Sequence, residues 1–276
     1  MPELPEVETI RRALIKQLTG RRIENINVRD DRLRWPVNAL KLQVMLGNAT
    51  FNKFDRRSKY LLLGTDRNTI LLIHLGMSGR LLFINDQRPF EKHDHVIFDL
   101  DNGSQLRFRD PRRFGMVDSF PAEEEASHPR LQRLGYEPFS DNLTAKTLFE
   151  RANSRKGPIK NFLMDASIIV GIGNIYANEA LFHARIHPTS AAGKLSRKQW
   201  ESLLTCIREV LQDAIKQGGS TLKDFVNSNG ETGYFQNAHF VYGREEQPCL
   251  KCGQPIQRII QAGRSSFYCP KCQQFA

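Results

Sequence analysis

The stretch PCLKCGQPIQRIIQAGRSSFYCPKC, residues 248–272, decides the fold of the C-terminal part of the chain. It contains two Cys-x2-Cys pairs that are separated by sixteen residues. Each pair places two thiolates on one tight turn, and two such turns supply the tetrahedral ligand set of zinc. Because four thiolates close the coordination shell, the pattern predicts one structural Zn²⁺ ion, with an iron site or a redox pair as the alternative. The ligands would be Cys249, Cys252, Cys269 and Cys272.

The residues between the two cysteine pairs, QRIIQAGRSSFY, predict a β-hairpin. Its tip would carry Arg264 beside Gly263, Ser265 and Ser266. An exposed arginine among small residues suits contact with a phosphate, although an arginine that is merely solvated fits the same pattern.

The composition narrows the class of partner. The 276-residue chain has 40 Lys and Arg against 30 Asp and Glu, a net charge of +10. This charge favours a polyanionic partner, either nucleic acid or an anionic membrane surface. No apolar run reaches the length of a membrane span and the N-terminus lacks a signal-peptide core, so we expect a soluble, cytoplasmic protein that binds nucleic acid and no membrane. An odd number of cysteines, five, argues against a disulfide framework.

The spacing of apolar residues divides the chain near residue 135. Before this point, PELPEVETIRRALIKQLTG predicts an amphipathic helix that is followed by short apolar runs. HVIFDLDNGSQLRFRD predicts a hairpin with a two-residue Asn102-Gly103 turn, and the strands together favour a β-sandwich or barrel. Beyond residue 135 the period becomes helical, and the clearest helix begins after a Ser196 N-cap. The predicted class is α+β, with parts at residues 1–135, 136–241 and 242–276.

The N-terminus, MPELPEVE, is unusual because Pro2 follows the initiator methionine and has two acidic neighbours, Glu3 and Glu6. An ordinary helix start explains Pro5 and Glu6, since proline suits the first turn and a carboxylate there complements the helix dipole. A helix start does not explain Pro2.

Two loops combine basic, aromatic and flexible side chains. DPRRFG places Arg112, Arg113 and Phe114 after a proline, and LGMSG places Met77 between glycines. Enzymes that extrude a base from DNA need such side chains to fill the gap in the stack, whereas ordinary packing is the alternative. The stretch GIGN before a helix offers backbone N–H groups to a phosphate, but it is a weak motif alone.

These motifs together resemble the bacterial formamidopyrimidine-DNA glycosylases, and the resemblance extends over nearly the whole chain. In chain order, the motifs that carry it are PELPEVET, RRSKYLL, HLGMSG, KHDHV, DPRRFG, GIGNIYANEALF, GGSTLKDF, YGR and the four-cysteine finger. Membership of this family implies an N-terminal β-sandwich flanked by helices, a helix–two-turn–helix domain and a zinc finger. Duplex DNA would lie across the cleft between the two halves.

The resemblance also implies a function and explains Pro2. It implies a DNA glycosylase and AP lyase of base excision repair that excises 8-oxoguanine and formamidopyrimidines from duplex DNA and cleaves the strand by β,δ-elimination. After removal of methionine, the Pro2 amine would attack C1′ of the damaged nucleotide and form a Schiff base. An α-amine has a pKa of about 7.7–8.0, so part of it is neutral and nucleophilic at neutral pH. Glu3 would act as the acid, and Glu6 would hold the amine or the lesion.

Further site residues follow from matching positions in the family motifs. Lys59 would serve the elimination step or grip the phosphate of the lesion, and Arg264 would take part in the second elimination. The residues expected to bind the DNA backbone are His74, His93, Lys156, Asn174 and Arg264. Those expected to fill the vacated stack are Met77, Arg112 and Phe114. Of these, Arg112 would face the orphaned cytosine. The loop from Gly218 to Phe235 would close over the flipped base.

Two alternatives stay open. Endonuclease VIII, a sister glycosylase, prefers oxidised pyrimidines, and a non-catalytic binder of damaged DNA would need no free Pro2 amine. A phosphate-loop enzyme is disfavoured because the stretch Gly-x4-Gly-Lys-Ser/Thr is absent, so we expect no nucleotide cofactor. We expect a monomer that associates with the nucleoid through DNA. One departure from the family is Ala166 in LMDAS, where family members often carry a polar side chain.

Overall fold

The computed structural model describes residues 2–86, 88–218 and 239–276, which form two compact units. The first unit contains residues 2–132, and the second contains residues 133–216 and 239–276. The predicted closing loop lies outside the described residues, apart from its first residue, Gly218. None of the described helices has both the length and the apolar character that crossing a membrane requires.

The first unit begins with the predicted amphipathic helix, α1, Leu4–Leu18. Glu3 is its N-cap residue, and the Glu6 carboxylate accepts a hydrogen bond from the Glu3 N–H at 2.8 Å. The apolar side chains that the helix buries are spaced at its period: Leu4, Val7, Ile10, Leu14 and Leu18. This burial fixes the helix against the core, and with it the position of its first turn.

Eight strands of the described chain form two antiparallel four-stranded sheets in the first unit. One sheet has the order β1-β6-β7-β5, with β1 Ile23–Val28, β5 Arg80–Ile84, β6 Asp94–Leu100 and β7 Gln105–Arg109. The other has the order β2-β3-β4-β8, with β2 Phe51–Arg57, β3 Tyr60–Thr65, β4 Thr69–His74 and β8 Met116–Pro121. A single apolar cluster takes side chains from both sheets and from α1. The predicted β-sandwich is therefore confirmed.

The β6–β7 hairpin is confirmed, but its turn is longer than the predicted two residues. The Leu100 N–H donates to the Ser104 carbonyl, and the Gly103 N–H donates to the Leu100 carbonyl, both at 2.9 Å. The loop closed by the bond between Leu100 and Ser104 therefore contains three residues, 101–103, and Gly103 has a φ of +79°. A glycine in the left-handed region after a type I turn is a common way to close a three-residue hairpin loop.

Helix α2, Ala39–Leu46, lies between β1 and β2 and was not predicted. The Asn38 side chain caps it by accepting a hydrogen bond from the Lys41 N–H at 2.9 Å. Only Leu42 and Leu46 of this helix are fully buried. An eight-residue segment with two buried positions gives a period too weak to separate a helix from a strand.

The second unit is mainly helical, as predicted. Its helices are α3 Ala145–Ala152, α4 Ile159–Leu163, α5 Asn174–His183 and α6 Arg197–Lys216. The predicted Ser196 cap is confirmed, because its Oγ accepts from the Gln199 N–H at 3.3 Å while the Gln199 side chain accepts from the Ser196 N–H at 2.8 Å. The buried face of α6 consists of Trp200, Leu203, Leu204, Ile207, Leu211 and Ala214. With the β-sandwich, these helices confirm the α+β class.

The predicted C-terminal hairpin is formed by β9, Gln257–Gln261, and β10, Arg264–Tyr268. Ala262 and Gly263 connect the strands with φ angles of 47° and 72°. Two consecutive positive φ angles are what a two-residue type I′ turn requires. Arg264 is exposed next to this turn, so the prediction that it sits at the tip is confirmed.

Candidate functional site

The N-terminal acids are buried beside Pro2. Glu3 is 2% exposed and Glu6 is 6% exposed, whereas Pro2 is half-buried. The partial positive charge of the α1 N-terminus stabilises carboxylates at this position. Since the Glu6 carboxylate is already bonded to the Glu3 backbone, Glu6 also fixes the start of the helix. Pro2 and the buried carboxyl group of Glu3 thus occupy adjacent positions at the start of α1.

A buried carboxylate that the sequence analysis did not single out, Glu8, anchors the same helix. It accepts hydrogen bonds from Arg11 at 2.8 and 2.9 Å, from Arg12 at 2.9 Å and from Arg56 at 3.4 Å. Burial raises the pKa of the Glu8 carboxyl, but the bonds from Arg11 and Arg12 outweigh burial and lower the pKa to about 2. Glu8 is therefore ionised at neutral pH and compensates three arginines.

Arg56 connects this cluster to Lys59. Its Nη1 donates a hydrogen bond at 2.9 Å to the carbonyl of Ser58, which has a φ of 57° in the turn between β2 and β3. Lys59 follows Ser58 directly. Glu8 and Arg56 thus link helix α1 to the turn that carries Lys59. The only sequence signal for this link is the spacing of Glu8 with the arginines on its own helix.

His74 ends strand β4 as a neutral imidazole. Burial, together with the positive charges of Lys59 and Arg34, lowers the pKa of His74 to about 4. Its Nδ1 accepts a hydrogen bond from the Gly76 N–H at 3.0 Å, which leaves the proton on Nε2. His74 can therefore donate a hydrogen bond to a phosphate oxygen without being charged. The second predicted histidine, His93, is half-buried just before β6, with its ring 6.1 Å from that of His95.

The structure brings Met77, Arg112 and Phe114 together on two packed loops. A Cβ atom on Gly76 would overlap the backbone of Phe114, so the loops touch main chain to main chain. Met77 is 43% exposed and Phe114 is 41% exposed, values that are high for large apolar side chains. We call Met77, Arg112 and Phe114 the wedge.

Asp110, which the sequence analysis did not single out, holds the wedge loops in place. It is fully buried and accepts hydrogen bonds from Ser78 Oγ at 2.6 Å, from the Gly115 N–H at 2.7 Å and from the Arg112 N–H at 3.3 Å. The loops are thus fixed through their backbones while the wedge side chains stay exposed. The sequence signal was the Asp at the start of DPRRFG, because aspartate often binds the N–H groups of a following turn.

The two arginines of this motif differ. Arg113 has a φ of 60° and bonds to Asp30 at 2.5 Å and to the Arg32 carbonyl at 2.9 Å. The Arg112 guanidinium lies 5.2 Å from the Phe114 ring centroid and has no ion pair or hydrogen bond with any described residue. Arg112 is therefore the arginine whose donors are available to a ligand.

In the second unit, Asn174 and Arg264 are brought together. Asn174 is the first residue of α5, and its Nδ2 donates to the carbonyl of Ser265, the residue after Arg264, at 3.0 Å. Lys160 is only 1% exposed and donates to the same carbonyl at 2.8 Å and to Ser266 Oγ at 2.6 Å. Lys160 was missed, although a lysine inside the apolar run PIKNFL was a signal for a buried, bonded cation.

Two other predicted positions of this unit lie on its surface. Lys156 is exposed before α4, and the structure does not place it against Asn174 or Arg264 by any described hydrogen bond. Ala166 is also exposed, and its carbonyl accepts a hydrogen bond from the Gly135 N–H at 2.8 Å. The roles of the predicted site residues stay predictions.

A second missed residue, Glu179, fixes the start of the C-terminal finger. Its carboxylate accepts hydrogen bonds from three successive backbone N–H groups at 2.8–3.0 Å, those of Phe240, Val241 and Tyr242. Glu179 lies on α5, five residues after Asn174. The same helix therefore positions both the finger and a predicted DNA contact.

The four predicted zinc ligands converge. Their sulfur atoms all lie within 4.8 Å of one another, with 3.9 Å between Cys249 and Cys272 and 3.4 Å between Cys252 and Cys269. Four sulfurs at about 2.3 Å from one tetrahedral ion would be about 3.8 Å apart, so the cluster fits zinc. The Lys251 N–H donates to the Cys249 sulfur at 3.4 Å, an interaction that stabilises a thiolate ligand.

A four-cysteine metal site and a net charge of +10 together indicate a class of protein, the zinc-containing proteins that bind nucleic acid. Comparison with known proteins gives the family. Three sequence profiles match in chain order: the formamidopyrimidine-DNA glycosylase N-terminal domain at residues 1–117, the formamidopyrimidine-DNA glycosylase H2TH domain at residues 134–226, and the zinc finger found in FPG and IleRS at residues 246–274.

Full-length relatives and solved structures agree with the profiles. The formamidopyrimidine-DNA glycosylase of Hahella chejuensis is 48% identical over 277 residues, which cover 99% of this chain and 100% of that protein. That of Thioalkalivibrio sulfidiphilus is 47% identical over 273 residues, with 99% and 100% covered. The Lactococcus lactis Fpg, solved with DNA containing an abasic site, has a TM-score of 0.90 at 34% identity and 99% coverage of both chains. MutM (Fpg) from Thermus thermophilus has a TM-score of 0.86 at 36% identity, with 100% of both chains covered.

The chain belongs to the formamidopyrimidine-DNA glycosylase family. It is a DNA glycosylase of base excision repair, and its four-cysteine finger holds one structural zinc ion. The predicted family, fold, enzyme class and cofactor are therefore confirmed.

Proposed function

We propose that the protein excises oxidised purines from duplex DNA by covalent catalysis from Pro2 and then cleaves the strand by β,δ-elimination. The observation that carries this proposal is the start of α1, where the buried Glu3 directly follows Pro2 and is bonded through its backbone to Glu6. The enzyme would act on the bacterial chromosome in the cytoplasm, with functional parts at residues 1–135, 136–241 and 242–276.

The first step forms one bond and breaks another. The neutral Pro2 nitrogen attacks C1′ of the damaged nucleotide, the glycosidic bond breaks, and the base leaves with the bonding electrons. The Pro2 nitrogen then loses the proton it carried as an amine, which balances the proton that the departing base takes up. Glu3 donates a proton to the sugar ring oxygen as the C1′–O bond opens, which leaves a cationic iminium between Pro2 and C1′. Glu6 holds the amine or the lesion in place.

The iminium then drives strand cleavage. It withdraws electrons from C2′, so loss of the C2′ proton allows the 3′-phosphate to leave, and a second elimination releases the 5′-phosphate. Lys59, on the turn fixed by Arg56, serves the first elimination or holds the phosphate of the lesion. Arg264 serves the second elimination, with Asn174 bonded to the adjacent residue.

The remaining predicted residues bind the DNA that surrounds the lesion. His74, His93 and Lys156 would contact backbone phosphates, as would Asn174 and Arg264. For His74, the neutral Nε2–H group supports a hydrogen bond rather than an ion pair. Such contacts set the register of the protein on the duplex and carry no sequence information themselves.

Borohydride trapping tests the nucleophile. Reduction of the iminium should link the enzyme covalently to duplex that contains 8-oxoguanine opposite cytosine, and peptide mapping should place the adduct on Pro2. A matched duplex containing an oxidised pyrimidine separates this proposal from an endonuclease VIII-type specificity. An adduct on Lys59 would contradict the assignment, and so would a mature protein that retains Met1, because its proline nitrogen would be an amide.

Arg112 should read the base that the flipped lesion leaves behind. Its guanidinium can donate hydrogen bonds to O2 and N3 of cytosine, whereas adenine presents its N6–H2 donor where a second acceptor is needed. Arg112→Ala should therefore reduce the preference for cytosine over adenine by about 1–3 kcal/mol, by analogy with good base-edge contacts. The measurement is single-turnover excision of 8-oxoguanine opposite each base.

Arg113→Ala is the matched control for Arg112, because Arg113 is adjacent in sequence but bonded to Asp30. It should leave the preference for cytosine unchanged. The alternative is that Arg112 contacts a phosphate. In that case Arg112→Ala would weaken binding to both duplexes equally, and the slope of log K against log salt would fall in magnitude by about one unit.

A further inference from the structure

Three arginines of the first unit differ from the others in what their guanidinium groups contact. Within residues 2–86 and 88–132, the guanidinium groups of Arg34, Arg112 and Arg130 are those with no hydrogen bond or ion pair to protein. Each lies over an aromatic ring instead. Arg112 lies over Phe114 at 5.2 Å, and Arg34 and Arg130 both lie over Trp35, at 4.6 and 3.9 Å.

This environment suits an anion. A guanidinium held flat against an aromatic ring keeps its orientation, while its N–H donors at the edge stay available. That geometry matches the two oxygens of a phosphate, which arginine binds in a bidentate manner. By contrast, other exposed arginines of the unit are bonded to protein groups, including acids, as Arg22 is to Glu24 at 3.5 Å and Arg88 is to Asp86 at 2.6 Å.

The two arginines on Trp35 lie close to the strand that carries His74. Tyr60 pairs with His74 across β3 and β4, and their rings are 4.7 Å apart. Met116, which pairs with His74 across β4 and β8, lines the same surface cavity as Trp35 and Arg130. Burial raises the pKa of Tyr60 while the charges of Arg130 and Arg34 oppose the increase. Arg34 also contributes, with burial and Lys59, to the low pKa of His74. The cavity that Trp35 and Arg130 line therefore reaches the β4–β8 pair at the end that carries His74.

Two acids lie near the arginine pair. Trp35 and Arg130 line a surface cavity of about 410 Å³ that Asp118 and Glu124 also line. Asp118 is compensated, because Lys41 bonds to it at 2.7 Å and the His128 ring is 3.6 Å away. Glu124 is exposed. In the lining of the cavity, Lys41 and Arg130 balance Asp118 and Glu124, and Arg34 on Trp35 adds one positive charge beside it, so removal of the Glu124 charge should make the cavity itself positive.

We propose that Arg34 and Arg130, which both lie over Trp35, form a clamp for a backbone phosphate of the bound DNA, beside the phosphate that His74 would contact. The inference rests on the proposed function, since it takes duplex DNA as the ligand. The clamp would extend the DNA-contacting surface of the protein away from the lesion. It would also fix the register of the duplex on the β-sandwich.

The salt dependence of binding tests the clamp. Duplex DNA with a tetrahydrofuran abasic analogue is titrated at several salt concentrations with the double variant Arg34→Ala/Arg130→Ala. The slope of log K against log salt should fall in magnitude by about 0.9, because the clamp neutralises one phosphate and each neutralised phosphate contributes about 0.9. Affinity at about 0.1 M salt should fall roughly 10-fold or more, as expected from loss of charge-assisted hydrogen bonds.

Three variants make the test specific. Arg34→Lys/Arg130→Lys keeps both charges and should keep the slope while it weakens binding, because lysine loses the stacked fork. Glu124→Gln should strengthen binding. The control Arg22→Ala/Arg88→Ala removes two arginines that are bonded to acids and should leave the slope unchanged. The clamp proposal is overturned if Arg34→Ala/Arg130→Ala has the wild-type slope. It is also overturned if the slope of the Arg22→Ala/Arg88→Ala control falls by as much as that of the clamp variant.

Shortening the duplex locates the contact. Duplexes are cut back separately on each side of the analogue, and the penalty of the alanine variant should disappear on one side only. A penalty that persists at every length would overturn the proposed position. Failure of the proposed function is distinguished by the wild-type enzyme, which would then leave 8-oxoguanine duplex intact. If the wild type excises the lesion and the alanine variant keeps its slope, only the clamp is wrong.

Discussion

Replacing Glu3 by glutamine is expected to slow excision of 8-oxoguanine by about 10²–10⁴-fold, the usual contribution of a positioned general acid. Glu3 is the N-cap of α1 and only 2% exposed, so its carboxyl group is held in place beside Pro2. Glutamine keeps the length of the side chain, but its amide group has no acidic proton to donate. DNA affinity should change little, because the acid acts mainly in the transition state.

The measurement is single-turnover excision with enzyme in excess, paired with binding to the tetrahydrofuran duplex. Glu24→Gln on β1 is the control, since Glu24 is an exposed glutamate that pairs only with Arg22 among the described residues. Glu6→Gln should cost less than Glu3→Gln, because its amide oxygen can still accept the hydrogen bond from the Glu3 N–H. If Glu3→Gln excises at the wild-type rate, another group must be the acid.

The features that the sequence predicted correctly depend on residues close together in the chain. The Ser196 cap involves a partner three residues away, the tip of the C-terminal hairpin depends on a two-residue turn, and each zinc knuckle depends on a Cys-x2-Cys spacing. In each case the local backbone geometry follows from the residue types. Met77 and Phe114 were likewise predicted to lie on two short loops, although only the structure shows that these loops touch.

The features that were missed depend on partners far apart in the chain. Glu8 and Arg56 are separated by 48 residues, and Lys160 and Ser265 by 105. A charged residue in an apolar segment signals that some partner exists, because an unpaired buried charge is costly, but the partner depends on the tertiary fold. Glu179 is a further example, since its three hydrogen-bond donors are backbone N–H groups, which have no sequence signature.

The largest expected effect on folding comes from the zinc site. Among the described residues the apolar cluster around the finger is small, with six buried members, Phe182, Val241, Cys249, Ile256, Phe267 and Cys269, two of which are themselves ligands. Binding of a structural zinc ion contributes about 10–16 kcal/mol in small fingers, and this energy is folding energy. Cys249→Ser or chelation should therefore unfold the finger while the β-sandwich, which has its own core, stays folded.

Loss of the finger should also abolish its coupling to the helical part of the second unit. Lys160 and Asn174 both bond to the Ser265 carbonyl, so unfolding β10 would leave a buried ammonium without these acceptors and Arg264 without a fixed position. DNA affinity should fall by more than about 10-fold, since a single charge-assisted hydrogen bond contributes about 1.5–3 kcal/mol.

The experiment combines zinc content, limited proteolysis of the two units and DNA titration. Cys206→Ser is the matched control, because this fifth cysteine lies on α6 outside the cluster and should change none of the three. A zinc-free protein that binds lesion DNA as tightly as the zinc form would show that the finger folds without its metal.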